Sequence, residues 1–138
     1  MQILSSHDAF RYLARLINRN IEQFWIICLD SENKIIRSEL LFQGTVDSCP
    51  VYIRDIIRTV CFYNASCFII SHNHPSGNPA PSMEDITITQ RIQTVSQLAE
   101  LRFLDHIILG DKNYYSFSDN GHWAKRNKNL KIRKSDKI

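Results

Sequence analysis

The stretch Ala65-Ser66-Cys67-Phe68-Ile69-Ile70-Ser71-His72-Asn73-His74-Pro75-Ser76-Gly77-Asn78-Pro79-Ala80-Pro81-Ser82-Met83-Glu84-Asp85 decides how this chain of 138 residues is built. Its opening run, Ala65 to Ile70, is short and uniformly apolar. That suits a strand buried on both faces, and it implies helices on both sides of a central sheet. Between Pro75 and Pro81, three prolines and a glycine can continue neither strand nor helix, so a rigid loop follows. Ser82 with Asp85 has the spacing of a capping box. It predicts a helix with Ile88, Ile92, Val95 and Ala99 on its buried side, ending near Glu100.

This strand, loop and helix also carry chemistry. Side chains alternate in an extended segment, so His72 and His74 project to the same side and can offer imidazole nitrogens to one point. The loop returns the chain, and Asp85 in the first helical turn can bring an oxygen ligand to the two nitrogens. Two nitrogens and a carboxylate suit zinc, and three protein ligands leave a fourth position for water, as catalytic zinc sites do. Taken singly, each feature has an ordinary explanation. A His-x-His pair arises by chance, and Ser82 with Asp85 can be a cap worth about 1 kcal/mol. Their conjunction within fourteen residues favours a metal.

Outward from this segment the pattern is α/β. Ser6 is placed to cap a first helix whose apolar positions are Phe10, Leu13, Ala14 and Ile17. From Ile21 a near-continuous apolar run leads through FWIICL to the turn Asp30-Ser31-Glu32-Asn33. It resumes at Lys34 to Ile36 and Glu39 to Phe42, which reads as a β-meander. Residues 53 to 63 put Ile53, Ile56, Ile57, Val60 and Cys61 on one stripe opposite Arg54, Asp55 and Arg58, a second amphipathic helix. Phe103 to Leu109 and Tyr114 to Phe117 flank Gly110-Asp111-Lys112-Asn113, a hairpin.

With 43% hydrophobic residues, four Gly and four Pro, the composition is that of one ordinary globular domain. The apolar runs are far shorter than the ~20 residues of a membrane-spanning helix. The charged start MQILSSHDAFRYLARLINRN does not resemble a secretory signal. Cysteines at 28, 49, 61 and 67 form no CxxC pair, which fits reduced thiols in a cytoplasm. Those in ICL, VCF and SCF are expected to be buried and inert. The net charge of +3 is uneven: residues 125–138 hold seven of the 17 basic and one of the 14 acidic residues. That leaves the body, residues 1–124, at −3. The tail is expected to be solvated or flexible, with phosphate attraction as the less common role.

The ordered pattern His72, His74, Ser82, Asp85 resembles the JAMM motif of JAB/MPN metalloproteases, and HNHPSG resembles the RadC branch. EQFWIICLD, LLFQGT, YIRDIIR and LDHIILGD resemble RadC domain segments in order, covering roughly residues 20 to 120. The resemblance implies a three-layer α-β-α fold, related to that of cytidine deaminases, with a central mixed sheet. It also implies a zinc-dependent peptidase or isopeptidase. From the residues alone Glu32, Glu39 and Asp30 are as available as Glu22; the resemblance singles out Glu22 as general base. It likewise implies that Ser82 hydrogen-bonds the tetrahedral intermediate. His106 matches a family segment within a strand, where a structural hydrogen bond, or one made behind a metal ligand, is expected.

The pattern departs from the family at Tyr52-Ile53-Arg54-Asp55, where RadC-like domains usually carry His-Pro-Arg-Glu. The helical region of RadC-like proteins that resembles a DNA-binding helix-hairpin-helix has no counterpart in this sequence, so DNA binding is not expected from it. Other zinc chemistries lack their residues. A nucleobase deaminase needs His-x-Glu and Pro-Cys-x-x-Cys, and the His-Glu-x-x-His helix of another protease class is absent. The competing expectation is a DNA-repair or recombination accessory module with a structural or vestigial zinc site and a phosphate-binding tail. A partner-binding scaffold, the role of JAB/MPN domains without zinc residues, is disfavoured by the intact ligand set. His7 and His122 carry no signal.

Overall fold

The computed structural model describes residues 1–44 and 51–121. The basic run 125–138, and with it the expected division at residue 124, lies outside them, as do Cys49 and His122. The described elements are α1 (Ser6–Ala14), β1 (Gln23–Leu29), β2 (Ile35–Gln43), α2 (Ile53–Phe62), β3 (Cys67–Asn73), α3 (Met83–Leu98), β4 (Arg102–Leu109) and β5 (Tyr114–Ser116). The strands form one mixed sheet in the order β2-β1-β3-β4-β5. Only β3 and β4 run parallel, joined by the crossover through α3, as a parallel pair requires. No helix among the described residues is long and apolar enough to cross a membrane.

The apolar run at 65–70 becomes the central strand. All seven residues of β3 are buried, and the strand extends through His72 to Asn73. Alternating residues serve two cores. Ile27, Leu29, Cys67, Ile69, Ile107 and Leu109 join Ala9 and Leu13 of α1. Phe24, Ile26, Cys28, Phe68 and Ile70 join Ile56 and Val60 of α2 and Ile92 of α3. His72 has the parity of Phe68 and Ile70, so it faces the side on which α2 and α3 pack, at the C-terminal end of β3.

Several local expectations are corrected. The first helix is capped by Ser5, whose side chain accepts from the Asp8 amide, and Ser6 is already helical. The expected meander is a single hairpin, because residues 35–43 form one strand that pairs with β1 along its whole length, with two register shifts. An edge strand leaves one face and one side to solvent, so Arg37-Ser38-Glu39 does not interrupt it. In α2 Cys61 is exposed, and Thr59 takes the inward position because its hydroxyl donates to the Asp55 carbonyl. In α3 Ala99 is exposed, and the buried positions are Thr89, Ile92 and Ser96. Cys28 and Cys67 are buried as expected, and burial pushes the Cys28 thiol up to about 12. The β4–β5 hairpin forms as read, with Leu109 opposite Tyr114.

Candidate metal centre

Three elements bring the expected ligands together. His72 stands in β3, His74 follows directly after its end, and Asp85 lies in the first turn of α3. The two Nε2 atoms are 3.1 Å apart. Asp85 spans them, with Oδ1 3.1 Å from His72 Nε2 and Oδ2 3.1 Å from His74 Nε2. Among the described residues these three form a group able to hold a metal ion. Donors arranged tetrahedrally at about 2.0–2.1 Å around zinc stand about 3.3 Å from one another, close to the spacing found.

The loop between His74 and Asp85 is held from both sides. The His74 amide donates to the Leu109 carbonyl at 2.9 Å, and the Asp111 amide donates to the Gly77 carbonyl at 2.9 Å. Gly77 has φ +92°, a conformation that suits glycine. At the far end the capping box closes: the Asp85 amide donates to Ser82 Oγ at 3.1 Å, and Asp85 Oδ2 accepts from the Ser82 amide at 2.9 Å. Asp85 therefore serves as both cap and candidate ligand, with one carboxylate oxygen shared between the two roles.

Hydrogen bonding also directs the imidazoles. His74 Nδ1 lies 2.8 Å from the Asn78 carbonyl oxygen, which can only accept, so the neutral ring carries its proton on Nδ1 and presents a lone pair at Nε2. In the protonated ring Nε2–H donates to Asp85, which raises the pKa of His74 most; burial opposes this, while the Asn78 carbonyl and the negative charges of Asp85 and Glu22 add to it. Burial pushes the Asp85 carboxyl up, but the His72 and His74 imidazoles beside it, which donate to it when protonated, and the Ser82 amide prevail and hold it well below the usual range. His106 is completely buried, and that burial pushes it well below the histidine range. Its Nε2 is 2.8 Å from His72 Nδ1, the contact behind a ligand that its strand position suggested.

Strand pairing brings the backbone segment of Glu22 beside the end of the ligand strand. Glu22 immediately precedes β1, where Phe24 lies opposite His72. The Gln23 amide donates to Asn73 Oδ1 at 2.9 Å, while Asn73 Nδ2 donates to the Ile21 carbonyl at 3.0 Å. Asn73 thus grips the backbone on each side of Glu22. Sequence reading passed over Asn73, although its place between two same-facing histidines sends its side chain to the opposite face, toward whatever flanks the strand end. It also passed over Thr89, whose signal was its place one helical turn after Asp85.

Comparison with known proteins gives the family of the chain. A RadC-like JAB domain matches residues 3–122. The chain belongs to the RadC-like JAB domain family. Among its relatives is a UPF0758 protein of Histophilus somni strain 2336, 43% identical over 122 residues, covering 87% of this chain and 55% of the relative. One from Aliivibrio fischeri strain MJ11 is 40% identical, covering 86% and 54%. Another from Pasteurella multocida is 40% identical, covering 84% and 52%. The chain spans about half the length of these curated relatives. As a RadC-like JAB domain it carries the His-His-Asp cluster at the C-terminal end of the strand that pairs with both β1 and β4.

Proposed function

We propose that this chain is a zinc-dependent metallohydrolase that cleaves a peptide or isopeptide amide. The observation that carries this reading is the convergence of His72 Nε2, His74 Nε2 and an Asp85 carboxylate at mutual separations of 3.1 Å. Acceptor atoms so close repel one another unless a cation or a proton lies between them, and two imidazoles with a carboxylate are a donor set suited to zinc. When bound, zinc would supply Lewis acidity and lower the pKa of water at the open position.

The chain's own residues divide the remaining chemistry. Glu22 takes a proton from the attacking water and passes it to the leaving amine. Its segment is held by Asn73, and its negative charge reaches His74. Ser82 donates a hydrogen bond to the developing oxyanion. In the cap its Oγ accepts from the Asp85 amide, a bond that does not use the hydroxyl proton. The two cores, one with α1 and one with α2 and α3, support the three-layer arrangement of a JAB/MPN domain. Free Cys28, Cys61 and Cys67 support a reducing, cytoplasmic setting.

Purified protein should hold about one zinc per chain, and His72→Ala should lose it. The zinc-replete protein should cleave members of a panel of peptides and isopeptides. Absence of zinc, with unchanged melting in His72→Ala, would defeat this reading. The competing accessory-module reading gains if labelled DNA binds with a steep salt dependence that disappears on deletion of residues 125–138.

A further inference from the structure

Behind His72 a chain of buried polar groups leads away from the site and returns to it. His72 Nδ1 is 2.8 Å from His106 Nε2, His106 Nδ1 is 2.5 Å from Thr89 Oγ1, and Thr89 Oγ1 donates to the Asp85 carbonyl at 2.7 Å. Exposure is 3% at His72, 0% at His106 and 1% at Thr89, so water does not readily replace any link. The circuit begins at one candidate ligand on β3, crosses β4, and ends on the backbone of another candidate ligand on α3.

The chemistry of the links gives this circuit a direction. A carbonyl only accepts, so the single Thr89 hydroxyl proton goes to Asp85, and Thr89 Oγ1 must accept from His106 Nδ1–H. A neutral His106 then has a lone pair at Nε2, and His72 must donate its Nδ1 proton there. What remains on His72 is a lone pair at Nε2, aimed at His74 and Asp85. With the opposite polarity, Thr89 would donate to His106, and His72 would carry its proton on Nε2, in the place of a metal.

We propose that His106 and Thr89 are positioning residues that hold His72 in its metal-binding tautomer and so set the metal affinity of the site. This rests on the zinc reading. Two aromatic rings fix the imidazole of His106 in place: Phe117 stacks on it at 4.8 Å with the planes 7° apart, and Phe24 packs at 6.1 Å. A histidine here does what a carboxylate or carbonyl does behind many metal-bound imidazoles. Unlike those, it needs its own partner to fix its tautomer, and that is the function of Thr89.

The test is zinc affinity by chelator competition on the full chain, together with the imidazole nitrogen signals of the zinc-loaded protein in long-range proton–nitrogen NMR. Thr89→Val, which keeps the shape and removes the hydroxyl, should weaken zinc binding about 10-fold, and His106→Phe about 10- to 100-fold. Thr89→Ser should restore wild-type affinity. The spectra should place the protons of His72 and His106 on Nδ1 in the wild type. Equal zinc affinity in wild type and Thr89→Val, equal losses in Thr89→Val and Thr89→Ser, or an Nε2 proton on His106 would overturn the relay and leave the zinc reading standing. Failure of the wild type to bind zinc at all would instead remove the zinc reading, and the relay with it.

Discussion

Replacing Gly110 by alanine should damage the metal centre without touching a ligand. A Cβ at Gly110 would lie 2.5 Å from the Gly77 carbonyl oxygen, 2.7 Å from Pro79 Cδ and 2.8 Å from Asn113 Oδ1. Two of these obstacles belong to the loop between His74 and Asp85. The nearest is a backbone oxygen that already accepts from Asp111, and the other is a proline ring, so neither can swing aside as a long side chain would. The loop must retreat by about 0.9 Å at the Gly77 carbonyl to reach ordinary contact. Overpacking of this kind costs about 1–3 kcal/mol, which for a domain of this size corresponds to a fall in Tm of about 3–15 °C. Because the displaced loop carries His74 at one end and leads to Asp85 at the other, zinc should also stabilise the variant less. A tenfold weaker affinity removes about 1.4 kcal/mol of the zinc-dependent stabilisation under excess metal. Differential scanning fluorimetry with and without zinc measures both quantities, with Leu98→Ala, at a 57% exposed position of α3, as control. A Gly110→Ala protein that melts like the wild type and gains as much from zinc would refute the buttress.

Three further outcomes follow from the same geometry. Glu22→Gln should retain zinc and lower turnover on a cleaved substrate by about 10²- to 10⁴-fold; loss of metal in that variant would contradict the role given to Glu22. Asn73→Ala, which gives up the bonds to the Gln23 amide and the Ile21 carbonyl, should destabilise the fold by about 1–3 kcal/mol in urea unfolding. It should reduce turnover more than it reduces zinc affinity. Asp105 is raised above the ordinary carboxylate value, chiefly by burial and against its bonds from Ser116, Ser118 and the His106 amide. Its contribution to stability is therefore fully present below about pH 4 and lost as pH rises through the elevated folded-state value. Asp105→Asn should flatten the dependence of Tm on pH over that interval, and an unchanged profile would count against the assignment.

Much of the fold is legible in local pattern because its helices bury one apolar stripe and its central strands are buried on both faces. The run Cys67 to Ile70 announces a two-sided strand, and the stretch from Pro75 to Pro81 announces a loop, since proline removes donors and fixes φ. The errors fall where polar side chains satisfy themselves locally. Thr59 is buried against expectation because it bonds back into its own helix, and Thr89 because it bonds both its helix and His106. Residues 35–43 look interrupted because an edge strand tolerates charge, and only its pairing with β1 reveals it as continuous.

The candidate site divides in the same way. Spacing alone joined His72, His74 and Asp85, because one strand, one rigid loop and one helix cap link them within fourteen residues. Glu22 lies fifty residues before His72. Only the antiparallel pairing of β1 with β3 brings its segment to the end of the ligand strand, and no local period encodes that pairing. The same holds for His106, which reaches His72 across the parallel β3–β4 pair. Local pattern is enough to read a His-His-Asp cluster at the end of a buried strand. What surrounds those three side chains is set by the packing of distant segments, because hydrogen-bond direction and proton placement depend on neighbours that chain distance does not specify.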